Sequence, residues 1–105
     1  MQFVVQSSHP PDQCPTANAK ARQFYEKMGR ELPDLATRLG VKVVTGPLIL
    51  GSSHEAVMVI QAEKVEVVND LVMQSGLVQW NSVRVSQAIP MDEALREAAK
   101  LTPVY

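Results

Sequence analysis

The chain has a single cysteine, Cys14, which excludes an internal disulfide. An unpaired thiol suits a reducing compartment better than an oxidising one. There is no excess charge of either sign: 10 Lys and Arg against 11 Asp and Glu leave a formal net charge of −1. The basic residues are scattered without a run. This argues against the electrostatic footprint of a nucleic-acid binder and against a polybasic membrane patch. No apolar run approaches the roughly 20 residues that span a bilayer. No basic segment followed by an apolar one opens the sequence as a signal peptide. Neither a Gly-rich phosphate loop nor a Ser-His-Asp spacing is found. The expectation is a cytoplasmic protein with no nucleic-acid and no membrane partner.

With 105 residues, 46% of them hydrophobic and 20% charged, the composition is that of an ordinary globular protein, read as one domain over 1–105. A chain this short buries a real core, but a marginal one unless a second copy covers an exposed face.

The opening MQFVVQSS alternates as a strand, with Phe3 and Val5 on one side and Val4 and Gln6 on the other. The prolines of HPPDQCPT end it. Ala17, Ala21, Phe24, Tyr25, Met28, Leu32, Leu35, Ala36 and Leu39 then recur at helical spacing. Thr16 is the expected N-cap and Gly40 the C-cap. Gly29 and Pro33 predict a kink or two consecutive helical pieces on one surface. VKVVTGPLIL and HEAVMVIQA read as a hairpin, with Gly46-Pro47 as a bulge or bend and GSS as the turn. Ala56, Met58 and Ile60 share one face of its second strand.

EKVEVVNDLVMQSG reads as a second helix with a Val65, Val68, Leu71, Val72 stripe, ended by Gly76. LVQWNSVRVSQAI reads as a fourth strand, with Val83, Val85 and Ile89 on one face and Trp80 and Arg84 on the other. PMDEALREAAKL reads as a terminal helix with Met91, Ala94, Leu95 and Ala98 together. The order β-α-β-β-α-β with a helical tail is that of an α+β, ferredoxin-like domain. Its sheet would be four-stranded and antiparallel, in order 4-1-3-2, with the helices on one face. Val4, Val57 and Val59 leave the other face partly apolar, and a second subunit is its simplest cover.

The stretch GVKVVTGPLILGSSHEAVMVIQAEKVEVVNDLVMQSGLVQWNSVRVSQAI resembles the dimeric α/β-barrel superfamily, and within it the small GYD-type domains. In those, a strand ends in a Gly-x-aromatic-acid turn before an apolar strand, a helix and a last strand. Here the turn is Gly51-Ser52-Ser53-His54-Glu55, without the Tyr-Asp pair. The resemblance covers residues 40 to 90. It implies a homodimer whose two sheets face each other. It also implies a functional range spanning cofactor-free monooxygenases, isomerases, haem enzymes and metal-binding proteins.

That topology gathers the chemistry. The end of strand one carries His9 and the start of strand three carries His54, and antiparallel neighbours bring the two together. The loop bearing Cys14 leaves from the same edge, which Gln79, Trp80 and Asn81 also approach. Two imidazoles and a thiolate are ligands for zinc, copper or nickel. Water, Asp12 or Glu55 would take the fourth position, and the prolines would stiffen the loop. An open position permits Lewis-acid chemistry, whereas a closed one means a structural or carrier site.

Other readings stand beside this one. The histidines have plain hydrogen-bonding roles open to them, and Cys14 that of a small buried hydrophobe. A thiolate–imidazolium pair would serve nucleophilic or redox chemistry. Phe24, Tyr25, Met58 and Trp80, with Arg84 as a carboxylate binder, would line an apolar small-molecule pocket between helix and sheet. That is the signature of a cofactor-free, monooxygenase- or isomerase-like enzyme or of a ligand-binding module. Whether the protein is an enzyme stays open at this level.

Overall fold

The computed structural model describes residues 1–105. β1 (Gln2–Ser8), β2 (Lys42–Leu50), β3 (Glu55–Gln61) and β4 (Ser82–Ala88) form one antiparallel sheet in the order β2-β3-β1-β4. With α1 (Ala19–Leu39), α2 (Val65–Gln74), the single turn α3 (Leu77–Trp80) and α4 (Met91–Ala98), the architecture is α+β and compatible with a ferredoxin-like fold. No helix is long and apolar enough to cross a membrane.

The register sorts side chains by face. Phe3 pairs with Ile60 and Val5 with both Met58 and Val85, so all of these share one side of the pleat. Leu32, Leu35 and Ala36 of α1 and Val68, Leu71 and Val72 of α2 close over that side as the core. Ile60, Val68 and Leu71 lose all solvent contact. The opposite face carries Val4 beside Val59 and Gln6 beside Val57. There the Arg84 guanidinium donates twice to Gln6 Oε1, at 3.0 and 3.2 Å.

Three expectations are corrected. α1 is one continuous helix through Pro33. A proline removes the bond to the carbonyl four residues back, which here belongs to Gly29. Both residues lie on the exposed side of the helix, while Leu32, Leu35 and Ala36 on the buried side hold the axis to the core. The N-cap is Asn18, whose Oδ1 accepts from the Ala21 N–H at 3.0 Å, and not Thr16.

Leu77–Trp80 is helical, and β4 begins only at Ser82. Gly76, at φ 81°, reverses the chain after α2, and a Cβ there would stand 2.9 Å from Phe24 Cε1. The extra turn drives Leu77 into the core and leaves Trp80 off the strand, 6.1 Å from Phe24 between ring centroids.

α4 forms where the sequence places it, but it buries no residue. Met91 and Leu95 are 77% and 59% exposed, so the apolar face of this helix has no cover within the chain.

Candidate metal centre

The site is built at one end of the β1–β3 pair. Ser8 is the last residue of β1 and pairs with Glu55, the first of β3. The pairing continues one step further, because the His9 N–H donates to the His54 carbonyl at 3.1 Å. His54 holds φ 56° and ψ 40°, a left-handed conformation uncommon outside glycine and in which histidine is enriched. Backbone of this kind persists only where its surroundings dictate it and gathers at functional sites.

Cys14 is fixed from both sides. Pro10 and Pro11 start a single 3-10 turn, in which the Gln13 and Cys14 N–H groups donate to the Pro10 and Pro11 carbonyls at 3.0 and 3.2 Å. The Cys14 carbonyl then accepts from the Ala17 and Asn18 N–H groups at 2.9 and 2.8 Å, which ties the loop to the first turn of α1. Arg22 Nε donates to the Pro15 carbonyl at 2.8 Å. The prolines are therefore part of a braced loop that sets the thiol against the sheet edge.

The result is a cluster. One ring nitrogen from each histidine and the Cys14 sulfur all lie within 4.8 Å of one another. Bonds of about 2.0–2.3 Å to a tetrahedral ion hold donor atoms about 3.3–3.8 Å apart, so the three side chains need only draw slightly together. Asp12 is exposed and stands outside this cluster, as does Glu55.

The protonation pattern suits ligation. His9 Nδ1–H donates to Asn81 Oδ1 at 3.1 Å. The amide orientation of Asn81 follows from its other bonds, because Nδ2 donates to Tyr25 Oη at 2.6 Å and to the Leu77 carbonyl at 3.2 Å. With its proton on Nδ1, His9 keeps a lone pair on Nε2. That atom and His54 Nδ1 are both buried without a hydrogen-bond partner. Leaving such a group unpaired costs about 1–3 kcal/mol, and two at one spot call for an occupant.

The thiol is prepared as well. The pKa of Cys14 is lowered from 9.0 to about 6. The Thr16 hydroxyl, 3.0 Å from the sulfur, is the main cause, followed by the Thr16 backbone N–H, and burial opposes both. At neutral pH the sulfur is a thiolate, the form that both metals and electrophiles require.

Of the residues singled out for a pocket, Tyr25 and Met58 line a cavity of about 460 Å³ that opens beside the cluster, between α1 and the sheet. Phe24, Trp80 and Arg84 do not line it. Phe24 packs edge-on to Tyr25 with ring centroids 5.0 Å apart and supports the wall from behind. Arg84 lies across the sheet, on Gln6. Sequence reasoning missed the parts of Thr16 and Asn81. Their signal is weak, since each is a common polar residue whose role depends on a partner brought in by the fold.

No protein-family model matches the chain, and no curated protein matches it. Among solved structures, the chain is similar to the de novo designed protein Ferredog-Diesel, at 12% identity over 82% of each chain and a TM-score of 0.49. That likeness is too slight to bear on the site.

Proposed function

We propose that this is a small metal-binding protein in which His9, Cys14 and His54 hold one transition-metal ion, zinc, copper or nickel. The observation that carries the reading is the His9, Cys14 and His54 cluster, in which each histidine also keeps one buried nitrogen without a hydrogen-bond partner. Two imidazoles and a thiolate satisfy borderline-soft ions. Asn81 supplies the outer hydrogen bond that ligating histidines use to fix their tautomer. Three protein ligands leave a fourth position for water or a substrate, as at catalytic metals. An ion here would then act as a Lewis acid, which makes a metal-dependent enzyme the natural extension of the reading.

The test is metal content and uptake. Protein purified without tag or chelator is expected to carry, or to take up on titration, one ion per chain. Cobalt(II), used as a coloured substitute, is expected to give a thiolate-to-metal absorption band. That band should vanish in Cys14→Ala, while His9→Ala and His54→Ala weaken uptake without unfolding the chain. A folded protein that takes up no zinc, copper, nickel or cobalt would refute the reading.

The same reading takes the protein as a homodimer of the dimeric α/β-barrel type, closed through the open sheet face. Antiparallel sheets that face water on one side alternate apolar and polar residues. Here Val4, Val57 and Val59 are joined by Leu48 and Leu50, which are 50% and 46% exposed. Sedimentation at the mass of one chain across the micromolar range would count against it.

A further inference from the structure

The cavity beside the cluster is apolar over most of its wall and large enough for a small molecule. Protein interiors pack as densely as organic crystals, whereas this space of about 460 Å³ falls within the range of small-molecule pockets. Val5, Met28, Ala56, Met58 and Leu77 form apolar walls drawn from β1, α1, β3 and α3. The two methionines give those walls some capacity to adapt. His9, Cys14, His54, Tyr25 and Asn81 form one polar cluster in the lining, to which Ser7, Thr16 and Glu55 add. No lysine or arginine lines the space, and its one acidic side chain, Glu55, would repel a phosphate or a dicarboxylate.

In the polar cluster Tyr25 keeps a donor of its own. Asn81 is committed to His9, Tyr25 and Leu77. Tyr25 Oη accepts from Asn81, which leaves its own proton free to point elsewhere. A phenolic hydroxyl keeps its proton at neutral pH, so the group is a donor there.

We infer that the cavity takes a neutral, apolar small molecule with a single terminal hydroxyl, such as a phenol or a medium-chain alcohol. Its oxygen accepts from Tyr25 and faces the fourth coordination position, while its carbon body lies along Met28 and Met58. Only the oxygen–metal contact rests on the metal reading above; the fit of the carbon body and the Tyr25 hydrogen bond do not.

The experiment is calorimetric titration of 4-butylphenol and of butylbenzene, its counterpart without oxygen, into metal-free and zinc-loaded protein. 4-Butylphenol is expected to bind the metal-free protein at one site per chain, and about tenfold tighter with zinc present. Butylbenzene is expected to show no zinc effect. Tyr25→Phe should weaken 4-butylphenol about fivefold, the worth of one ordinary hydrogen bond.

Met28→Trp and Ala56→Phe, on different elements, should each fill the space and abolish binding, with circular dichroism confirming the fold. Failure of both probes to bind the folded metal-free protein would overturn the inference. So would unchanged binding in both filling variants. If zinc is not taken up but 4-butylphenol still binds through Tyr25, the metal reading falls and the cavity assignment stands. If zinc is held and neither probe binds, the cavity assignment falls alone.

Discussion

The helix-covered side of the sheet is packed at one end and hollow at the other. Ile60, Val68 and Leu71 are out of solvent altogether, as burial of apolar area demands. A few residues along the same strands, Val5 and Met58 border an open space and His9 and His54 end in unpaired nitrogens. Both ends use the same strands and the same long helix, so the backbone plan does not explain the difference. The packed end gathers aliphatic side chains that interdigitate. The hollow end gathers groups whose bonding capacity the chain itself leaves unused. Stability and chemistry are thus divided between two ends of one layer, and substitutions at each should have separable consequences.

The largest expected effect on folding belongs to the packed end. Leu71→Ala removes a fully buried side chain and should lower unfolding free energy by about 2–5 kcal/mol, measured by urea denaturation of the metal-free protein. It should leave metal stoichiometry in the folded fraction unchanged. Loss of metal binding at full stability in this variant would show that the two ends are not separable.

At the hollow end the expected signs reverse. Asn81→Ala leaves His9 Nδ1 without its acceptor. Outer-shell partners of this kind are worth about 10–100-fold in metal affinity, readable by competition with a chromophoric chelator. The loss of stabilisation on adding zinc should follow from the same affinity change, because binding only to the native state stabilises by mass action. An unchanged zinc affinity would mean that the Asn81–His9 bond is a structural tie and that His9 is not oriented for ligation.

The two ends also differ in how much of them could be read beforehand. Strand alternation in β1 and the helical stripe of α1 reflect burial, a local and repeated signal, and they name Phe3, Val5, Leu32 and Leu35 as core directly. The cluster was legible for a different reason. The chain has only two histidines and one cysteine, and an antiparallel β1–β3 pair leaves His9 and His54 little choice but to meet.

What was not legible depends on non-local or subtle geometry. The side chains that Asn81 joins, His9 and Tyr25, lie 72 and 56 residues away in sequence. LVQW is an apolar run too short for periodicity to separate helix from strand, and the left-handed turn at Gly76 decides it. Pro33 reads as a break unless it is known to face water. The hollow itself has no sequence signature, because it is the volume left once the surrounding side chains have packed.

The smallest perturbation sharpens the comparison most, because it changes one hydroxyl. Thr16→Val removes the principal donor to the Cys14 sulfur while keeping the Thr16 backbone N–H in place. In the parent protein, with chelator present, alkylation of Cys14 by iodoacetamide should rise with pH and level off above a midpoint of about 6. In the variant the midpoint should move upward, part of the way toward 9.0. The linked stability has a definite sign. A thiol whose pKa is lowered by folding stabilises the native state fully above its unfolded value, and that contribution is lost as pH falls through the folded one. The metal-free parent should therefore gain stability between about pH 6 and pH 9, and Thr16→Val should gain less over the same window. A parent midpoint near the unperturbed value would remove the thiolate from the site and leave Cys14 as a buried apolar group no different in kind from the residues at the packed end.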